Sequence, residues 1–174
     1  MKKIFAIISL IFAVFATSAD ESVYYNAADF KLIGTLAPDA RQPFSRLPDE
    51  MKDSIRKEVW DLGLNSAGIA VRFATDTDTL RVRWKSHNSF RMNHMTATGI
   101  RGLDLYVLCD DSTWTFVNSG RPNLNKAVTT SRLVTKMPGD GMREYMLYLS
   151  LYDGVDSLEI GVDSTAVITP GRVN

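Results

Sequence analysis

The chain has 174 residues, of which 45% are hydrophobic, and this is enough for one domain with a sizeable core but not for two. Its 20 lysines and arginines balance 20 aspartates and glutamates, and a neutral chain argues against nucleic-acid binding. The single cysteine, Cys109, excludes an intrachain disulfide.

The first 19 residues have the pattern of a secretory signal peptide. Lys2 and Lys3 precede an apolar run at residues 4–16, and small residues follow at 17–19. Cleavage after Ala19 is favoured, with Ala16 as a second site; the alternative, a buried N-terminal helix, lacks an amphipathic period. Cleavage would leave 18 basic and 20 acidic residues, a net charge of −2. Export without disulfides favours a bacterial periplasm or outer surface, with no embedding in the membrane after cleavage.

The segment that follows the leader predicts strands first and then a loop and a helix. Residues 24–25 and 30–36 predict one or two opening strands. Three prolines within residues 37–48 predict a surface loop. Residues 49–57 predict a short helix, the only notable one in the mature chain.

From residue 59 onward the hydrophobic period is two, which predicts successive strands. Residues 69–73 and 80–84 are expected to form a hairpin around Asp76-Thr77-Asp78, with one wet, basic face. Strands are also expected at 113–118, 128–136, 145–152 and 155–162, the last two joined as a hairpin by Asp153-Gly154. Short strands separated by turns predict an all-β, antiparallel β-sandwich with one short helix.

The most informative stretch is residues 99–108, where Gly99 and Gly102 precede an alternating strand. Leu103, Leu105 and Val107 are predicted to point inward, and Cys109 is expected to continue that face as a buried thiol. Asp104 and Tyr106 would share the outward face, where they can bind a ligand or a neighbouring domain. A purely structural role is the alternative, with Asp104 capping the glycine loop and Tyr106 packing on the sheet.

Catalytic candidates are few. His87 and His94, the two histidines, lie in the polar segment 86–98 and are expected at the surface, either with a local partner or at the rim of a site. Seven positions separate them, so a shared metal is not favoured. Residues 161–165 (GVDST) look like a loosened Gly-Asp-Ser nucleophile block, but only ten residues follow Ser164 and none is histidine. The chain is therefore predicted to contain no catalytic residue and to bind no cofactor.

Exposed aromatic and basic side chains are the remaining candidates for ligand contacts. Trp84 is in phase with a predicted strand and is expected in the core, Trp60 is consistent with either position, and Trp114 is the best candidate for a partly exposed ring. Arg121 lies at the tip of the predicted turn 119–123. It is expected to be solvated or to make one polar contact.

Residues 102–106 (GLDLY) resemble the Gly-x-Asp-Leu-Tyr signature of the N-terminal β-sandwich domain that precedes SGNH/GDSL-type esterases of Bacteroidetes. The likeness extends over residues 59–62, 65–69, 82–84, 92–95 and 158–162. It implies a sandwich of jelly-roll type over residues 20–170. In that family an esterase domain follows, so residues 171–174 are expected to begin a linker to a catalytic domain.

The expected function is therefore that of a non-catalytic accessory domain of an exported SGNH-type esterase acting on acylated glycans. It would brace the catalytic domain and form part of the substrate cleft. The alternative is a freestanding carbohydrate-binding or adhesin-like sandwich; a complete enzyme would have to act through a histidine without a nucleophile. The candidate contacts are Asp104, Tyr106, His94, His87, Trp114 and Arg121, with Gly99 and Gly102 as motif glycines.

Overall fold

The computed structural model describes residues 21–36, 42–89, 91–137 and 141–172, and the predicted signal peptide lies outside them. The described residues contain ten strands. They are β1 (Ser22–Asn26), β2 (Lys31–Ile33), β3 (Ala70–Thr75), β4 (Leu80–Ser86), β5 (Leu103–Leu108), β6 (Trp114–Gly120), β7 (Val128–Val134), β8 (Arg143–Tyr148), β9 (Val155–Asp163) and β10 (Ile168–Pro170).

The strands form two antiparallel sheets that pack face to face. The four-stranded sheet has the order β1-β9-β4-β7, and the six-stranded sheet has the order β10-β3-β8-β5-β6, with β2 also paired to β3. From β3 onward the described chain passes from one sheet to the other at every connection except the one between β5 and β6, which are paired neighbours. This is a β-sandwich of jelly-roll type, so the predicted fold is confirmed.

The two predicted hairpins are wrong, because each joins strands of different sheets. The turn after β3 is instead held by β9, where the Asp163 Oδ2 atom accepts hydrogen bonds from the Thr77 hydroxyl at 2.9 Å and the Thr79 amide at 3.0 Å. The corner between β8 and β9 is built around the fully buried Asp153. These turn residues therefore cap connections between layers and do not reverse a strand within one sheet.

The helical segments also differ from the prediction. Residues 49–57 contain only a single 3-10 turn at Asp49–Met51, and the helix α1 begins where that segment was expected to end, at Lys57–Gly63. The (i, i+4) ion pair between Lys57 and Asp61 supports α1. A second short helix, α2 (Ala97–Arg101), directly precedes β5. Within the described residues, no helix is long and apolar enough to span a membrane.

The core lies between the sheets and includes Trp84, which is fully buried as predicted. The Trp84 Nε1 group donates a hydrogen bond of 3.1 Å to the carbonyl oxygen of Arg101. The expected wet, basic face on β3 and β4 is wrong in part, because Arg72 and Arg81 are buried. Arg83 and Lys85 do lie on an outer surface, where they pair with Glu159 and Asp156.

Gly102 is required for close packing and not for its backbone conformation, because its φ of −77° suits any residue. A Cβ atom there would lie 2.3 Å from the Thr98 carbonyl oxygen and 3.0 Å from that of Gly120. At Gly99 the nearest atom to a Cβ would be the flexible Met95 side chain at 3.1 Å.

We expect Gly102→Ala to lower the free energy of unfolding by about 1–3 kcal/mol, because rigid backbone must move. Gly99→Ala is the matched control in the same motif, and we expect a change below about 1 kcal/mol because α2 gains helix propensity. Urea unfolding of both variants measures the difference. Equal losses would contradict the packing role of Gly102.

Candidate functional site

Asp104 and Tyr106 share the outward face of β5, as the period of two predicted. Strand β5 is paired on both sides, with β8 and β6. The register places Asp104 between Tyr148 and Ser119, and Tyr106 between Met146 and Phe116. The motif therefore lies in the interior of the six-stranded sheet, on the face turned away from the core.

Three aromatic rings, Tyr106, Phe116 and Tyr148, lie together on this face and form what we call the aromatic patch. The ring of Tyr106 is 5.6 Å from that of Phe116 and 5.6 Å from that of Tyr148, with interplanar angles of 73° and 82°. These are edge-to-face contacts, the arrangement that aromatic quadrupoles favour. Phe116 is nevertheless 53% exposed and Tyr148 is 40% exposed.

A shallow groove of about 410 Å³ runs beside the patch. Its walls combine apolar surface with the Asp104 carboxylate. The lining side chains are those of Asp104, Tyr106, Trp114, Tyr148, Leu149 and Leu151. Mostly apolar walls with one carboxylate are typical of a surface that binds another molecule or domain.

Asp104 does not cap the glycine loop, so that part of the structural alternative is wrong. The Asp104 Oδ1 atom accepts a hydrogen bond of 2.6 Å from the Ser119 hydroxyl on β6. The loop is capped instead by Thr96, whose hydroxyl oxygen accepts a hydrogen bond from the Gly99 amide at 3.3 Å. Tyr106 does pack on the sheet, as that alternative proposed.

The same face carries a nearly buried ion network centred on Glu144 of β8. The carboxylate accepts hydrogen bonds from Arg72 Nε, from Arg172 Nε at 2.6 Å and from the Arg172 amide at 3.0 Å. Burial alone would raise the pKa of Glu144, but the hydrogen bonds from the two arginines outweigh it and lower the pKa. Gly171 packs directly on the Arg72 and Glu144 side chains. Gly171 and Arg172, predicted to begin a linker, are thus fixed against the sheet.

Trp114 connects this network to the groove. It is half-buried, in line with the sequence prediction, and the Arg72 guanidinium carbon lies 5.5 Å from the centre of the indole ring. Such a cation–π contact favours one orientation of both groups. Arg72 therefore links the buried carboxylate of Glu144 to a ring that borders the groove.

The other predicted contacts do not join this site by any described interaction. His87 Nδ1 lies 2.7 Å from Asp156 Oδ1, and His94 Nδ1 lies 3.1 Å from Asn93 Oδ1. Burial would raise the pKa of Asp156, but Lys85 and His87 lower it. Arg121 is exposed immediately after β6, at the end of the sheet where Ser119 pairs with Asp104. Cys109 was expected to be buried; it is only half-buried, because β5 ends at Leu108 and the thiol lies in the following turn, 3.3 Å from the Thr115 hydroxyl.

No arrangement for nucleophilic catalysis is visible in the described residues. Within them, neither histidine hydrogen-bonds a serine, threonine or cysteine side chain. Asp163 ends β9 and holds the turn after β3, while the Ser164 hydroxyl contacts Glu21 at 3.4 Å. Residues 163–164 are therefore a strand end and a turn, as predicted. Across the same described ranges, no group of three or more His, Cys, Asp or Glu side chains could hold a metal ion.

Sequence reasoning missed four residues of this face: Phe116, Tyr148, Arg72 and Glu144. A usable signal was present in β8, where Glu144, Met146 and Tyr148 alternate with the inward Tyr145 and Leu147. That alternation separates the two faces of a strand. It does not reveal that β8 lies between β3 and β5, which is what brings these side chains together.

The Gly-x-Asp-Leu-Tyr motif on β5 agrees with a comparison to known families. Residues 22–168 match the family model GxDLY, described as the N-terminus of SGNH-hydrolase-type esterases. The chain belongs to this family. The GxDLY match covers β1 through the start of β10 and includes the complete aromatic patch.

Two solved structures resemble this GxDLY domain. One, from Bacteroides ovatus ATCC 8483, is described as a GDSL-like lipase; it is 32% identical, has a TM-score of 0.80, and is matched over 87% of this chain. The other is the salicylyl-acyltransferase SsfX3 of a tetracycline biosynthetic pathway, with 17% identity, a TM-score of 0.64 and a match over 90% of this chain; it shows a shared fold. This chain spans 43% of the length of each. No curated protein matches it.

We expect Glu144→Gln to lower the free energy of unfolding by about 3 kcal/mol at neutral pH, because two arginines lose their buried counter-charge. Glu159→Gln is the matched control, since Glu159 also pairs with an arginine but its side chain is 38% exposed. We expect the control to lose less than about 1 kcal/mol. Chemical denaturation of both variants gives the comparison.

The pH dependence provides a second readout. The pKa of Glu144 is lowered on folding, so its stabilisation is present above the ordinary value of 4.5 and is lost as the pH falls through the folded pKa. The wild type should therefore lose more stability than Glu144→Gln between about pH 6 and pH 3. If the free energies of unfolding of the two proteins change in parallel with pH, the pKa of Glu144 is not lowered by its arginine partners.

Proposed function

We propose that this chain is the non-catalytic N-terminal domain of an exported SGNH-type esterase that removes acyl groups from glycans. Its role is to brace the catalytic domain and to form part of the wall of the substrate cleft. The observation that carries the proposal is the match of residues 22–168 to a family described as the N-terminus of such esterases. The 32% identity to a chain described as a GDSL-like lipase supports it.

The absence of a catalytic role for this domain is supported by the geometry of the described residues. His87 pairs with Asp156 and His94 with Asn93, and in these ranges neither ring makes a described hydrogen bond to a nucleophile that it could activate. The one string that looks like a nucleophile block ends β9 and stabilises a turn. We therefore propose that ester hydrolysis comes from another domain.

Export and the glycan substrate rest on the sequence. The basic and apolar pattern of residues 1–19 supports export, and the lone cysteine suits a compartment in which the fold needs no disulfide. We propose acylated polysaccharides as the substrate class, because an exported bacterial esterase is exposed to them. The resemblance to SGNH/GDSL-type esterases supports an acyl ester as the bond that is cleaved.

The direct test is to isolate the protein from its own cells with an antibody to this domain and to map its peptides by mass spectrometry. We expect peptides of a domain with a Gly-Asp-Ser-type block and an Asp-x-x-His motif in the same polypeptide. Release of acetate from acetylated xylan by that material would support the substrate class. If the polypeptide contains no such domain and binds soluble glycan, a freestanding carbohydrate-binding module is favoured instead.

We expect residues 20–174 alone to hydrolyse p-nitrophenyl acetate no faster than a His94→Ala variant of the same length. The reason is that the described residues place no base beside a nucleophile. The measurement is the initial rate at high protein concentration. Turnover that is present in the wild type and abolished by His94→Ala would overturn the accessory role.

Asp104 is proposed to contact the cleft in the full-length enzyme. We expect Asp104→Asn to lower kcat/KM by about tenfold, a loss near 1.4 kcal/mol, while unfolding stability changes little. Ser119→Ala is the matched control, because it removes the donor of the local hydrogen bond but keeps the carboxylate. If Asp104 serves only that bond, Ser119→Ala should lose stability, Asp104→Asn should lose less because its amide oxygen still accepts, and neither should change kcat/KM.

A further inference from the structure

We infer that the SGNH catalytic domain docks on the outer face of the six-stranded sheet, with the aromatic patch at the centre of the interface. This inference rests on the proposed function and adds to it the surface that is used. The catalytic domain is the single occupant proposed. A glycan and a second copy of this chain are the competing occupants.

The two outer faces of the sandwich expose different side chains, although each also carries paired charges. The outer face of the four-stranded sheet carries ion pairs, Arg83 with Glu159 and Lys85 with Asp156, whose charged groups are compatible with water. The outer face of the six-stranded sheet carries the aromatic patch and the exposed Leu151. Large aromatic side chains with a polar rim are typical of the centre of a protein interface.

The path of the chain supports this face. Glu144 anchors Arg172 through both its amide and its side chain, and Gly171 packs on Arg72 and Glu144. Arg72 in turn contacts Trp114, which borders the groove beside the patch. Residues 171–172, which follow the family match at residues 22–168, thus lie on the face that carries the patch.

The arrangement of the rings favours a protein partner over a glycan. A sugar-binding platform presents ring faces side by side, so that a pyranose can stack on them. Here Tyr106 meets both Phe116 and Tyr148 edge to face, at 73° and 82°. Such ridges and grooves suit interdigitating side chains better than a flat sugar ring.

The rim of the patch is polar and partly satisfied within the domain. Asp104 is exposed beside Tyr106 and uses one oxygen atom to accept the Ser119 hydrogen bond. A carboxylate accepts several hydrogen bonds, so Asp104 retains the capacity to bind donors from a partner. An apolar centre with a carboxylate at its edge fixes both the contact and its register.

The test is hydroxyl-radical footprinting of the full-length protein, compared with the 174-residue chain under the same conditions. We expect modification of Phe116, Tyr148 and Trp114 to fall by about fivefold or more in the full-length protein, as half-exposed rings become buried in an interface. Tyr25 and Met51, which are 39% and 37% exposed elsewhere, should be modified equally in both. Protection should not depend on protein concentration, because the contact is intramolecular.

Variants give a second measurement. In the full-length protein, Phe116→Asp should restore modification of Tyr148, whereas Val128→Asp should not. Val128 is the matched control, since it is 47% exposed on β7 of the other sheet. If Phe116→Asp does not fold, the wild-type comparison still decides.

Several results would overturn the inference. If the full-length protein contains an SGNH domain but the aromatic patch is not protected from modification, docking occurs on another surface and the proposed function stands. Protection that disappears on dilution would identify a second copy, and protection that requires added xylo-oligosaccharide would identify a glycan site. A native protein without an SGNH domain would remove the occupant and the proposed function together.

Discussion

The hydrogen bond from the Trp84 indole to the Arg101 carbonyl connects the two layers at the point on which the site depends. Trp84 belongs to the four-stranded sheet and is fully buried, whereas Arg101 ends the helix that leads into β5 of the other sheet. The same ring lies against Gly120, where an added Cβ would be 3.3 Å from the indole. One side chain thus positions the start of β5 and the end of β6, which brings Asp104 opposite Ser119.

Charge provides the second constraint on this face. Glu144 and Arg72 are both less than 10% exposed although they lie on the outer surface of a sheet, because the residues around 171 cover them. A buried carboxylate costs desolvation energy that only good partners offset, and two arginines supply them here. The network therefore fixes the path of residues 171–172 and the orientation of Trp114 with the same carboxylate.

The sequence predicts on which face of a sheet a strand residue lies, but it does not predict which strands are neighbours in the sheet. A period of two separated inward Leu103 and Leu105 from outward Asp104 and Tyr106, and the structure agrees. The Asp153-Gly154 pair, a strong hairpin signal, failed because a jelly roll uses the same turn residues for corners between sheets. At that corner Gly154 is needed for space, since a Cβ would lie 2.5 Å from the Leu64 carbonyl oxygen. Phe116 and Tyr148 could not be assigned to the site because their place beside Tyr106 depends on strand order, which local patterns do not encode.

The difference between the two outer faces follows from what occupies the outward positions of otherwise similar strands. On β4 and β9 these positions hold Arg83 and Glu159, which satisfy one another and need no further partner. On β5, β6 and β8 they hold Tyr106, Phe116 and Tyr148. These rings contact one another edge to face and leave apolar surface exposed to water. Their edge-to-face contacts stabilise the sheet, and the apolar surface that stays exposed is of the kind that marks interaction sites on protein surfaces.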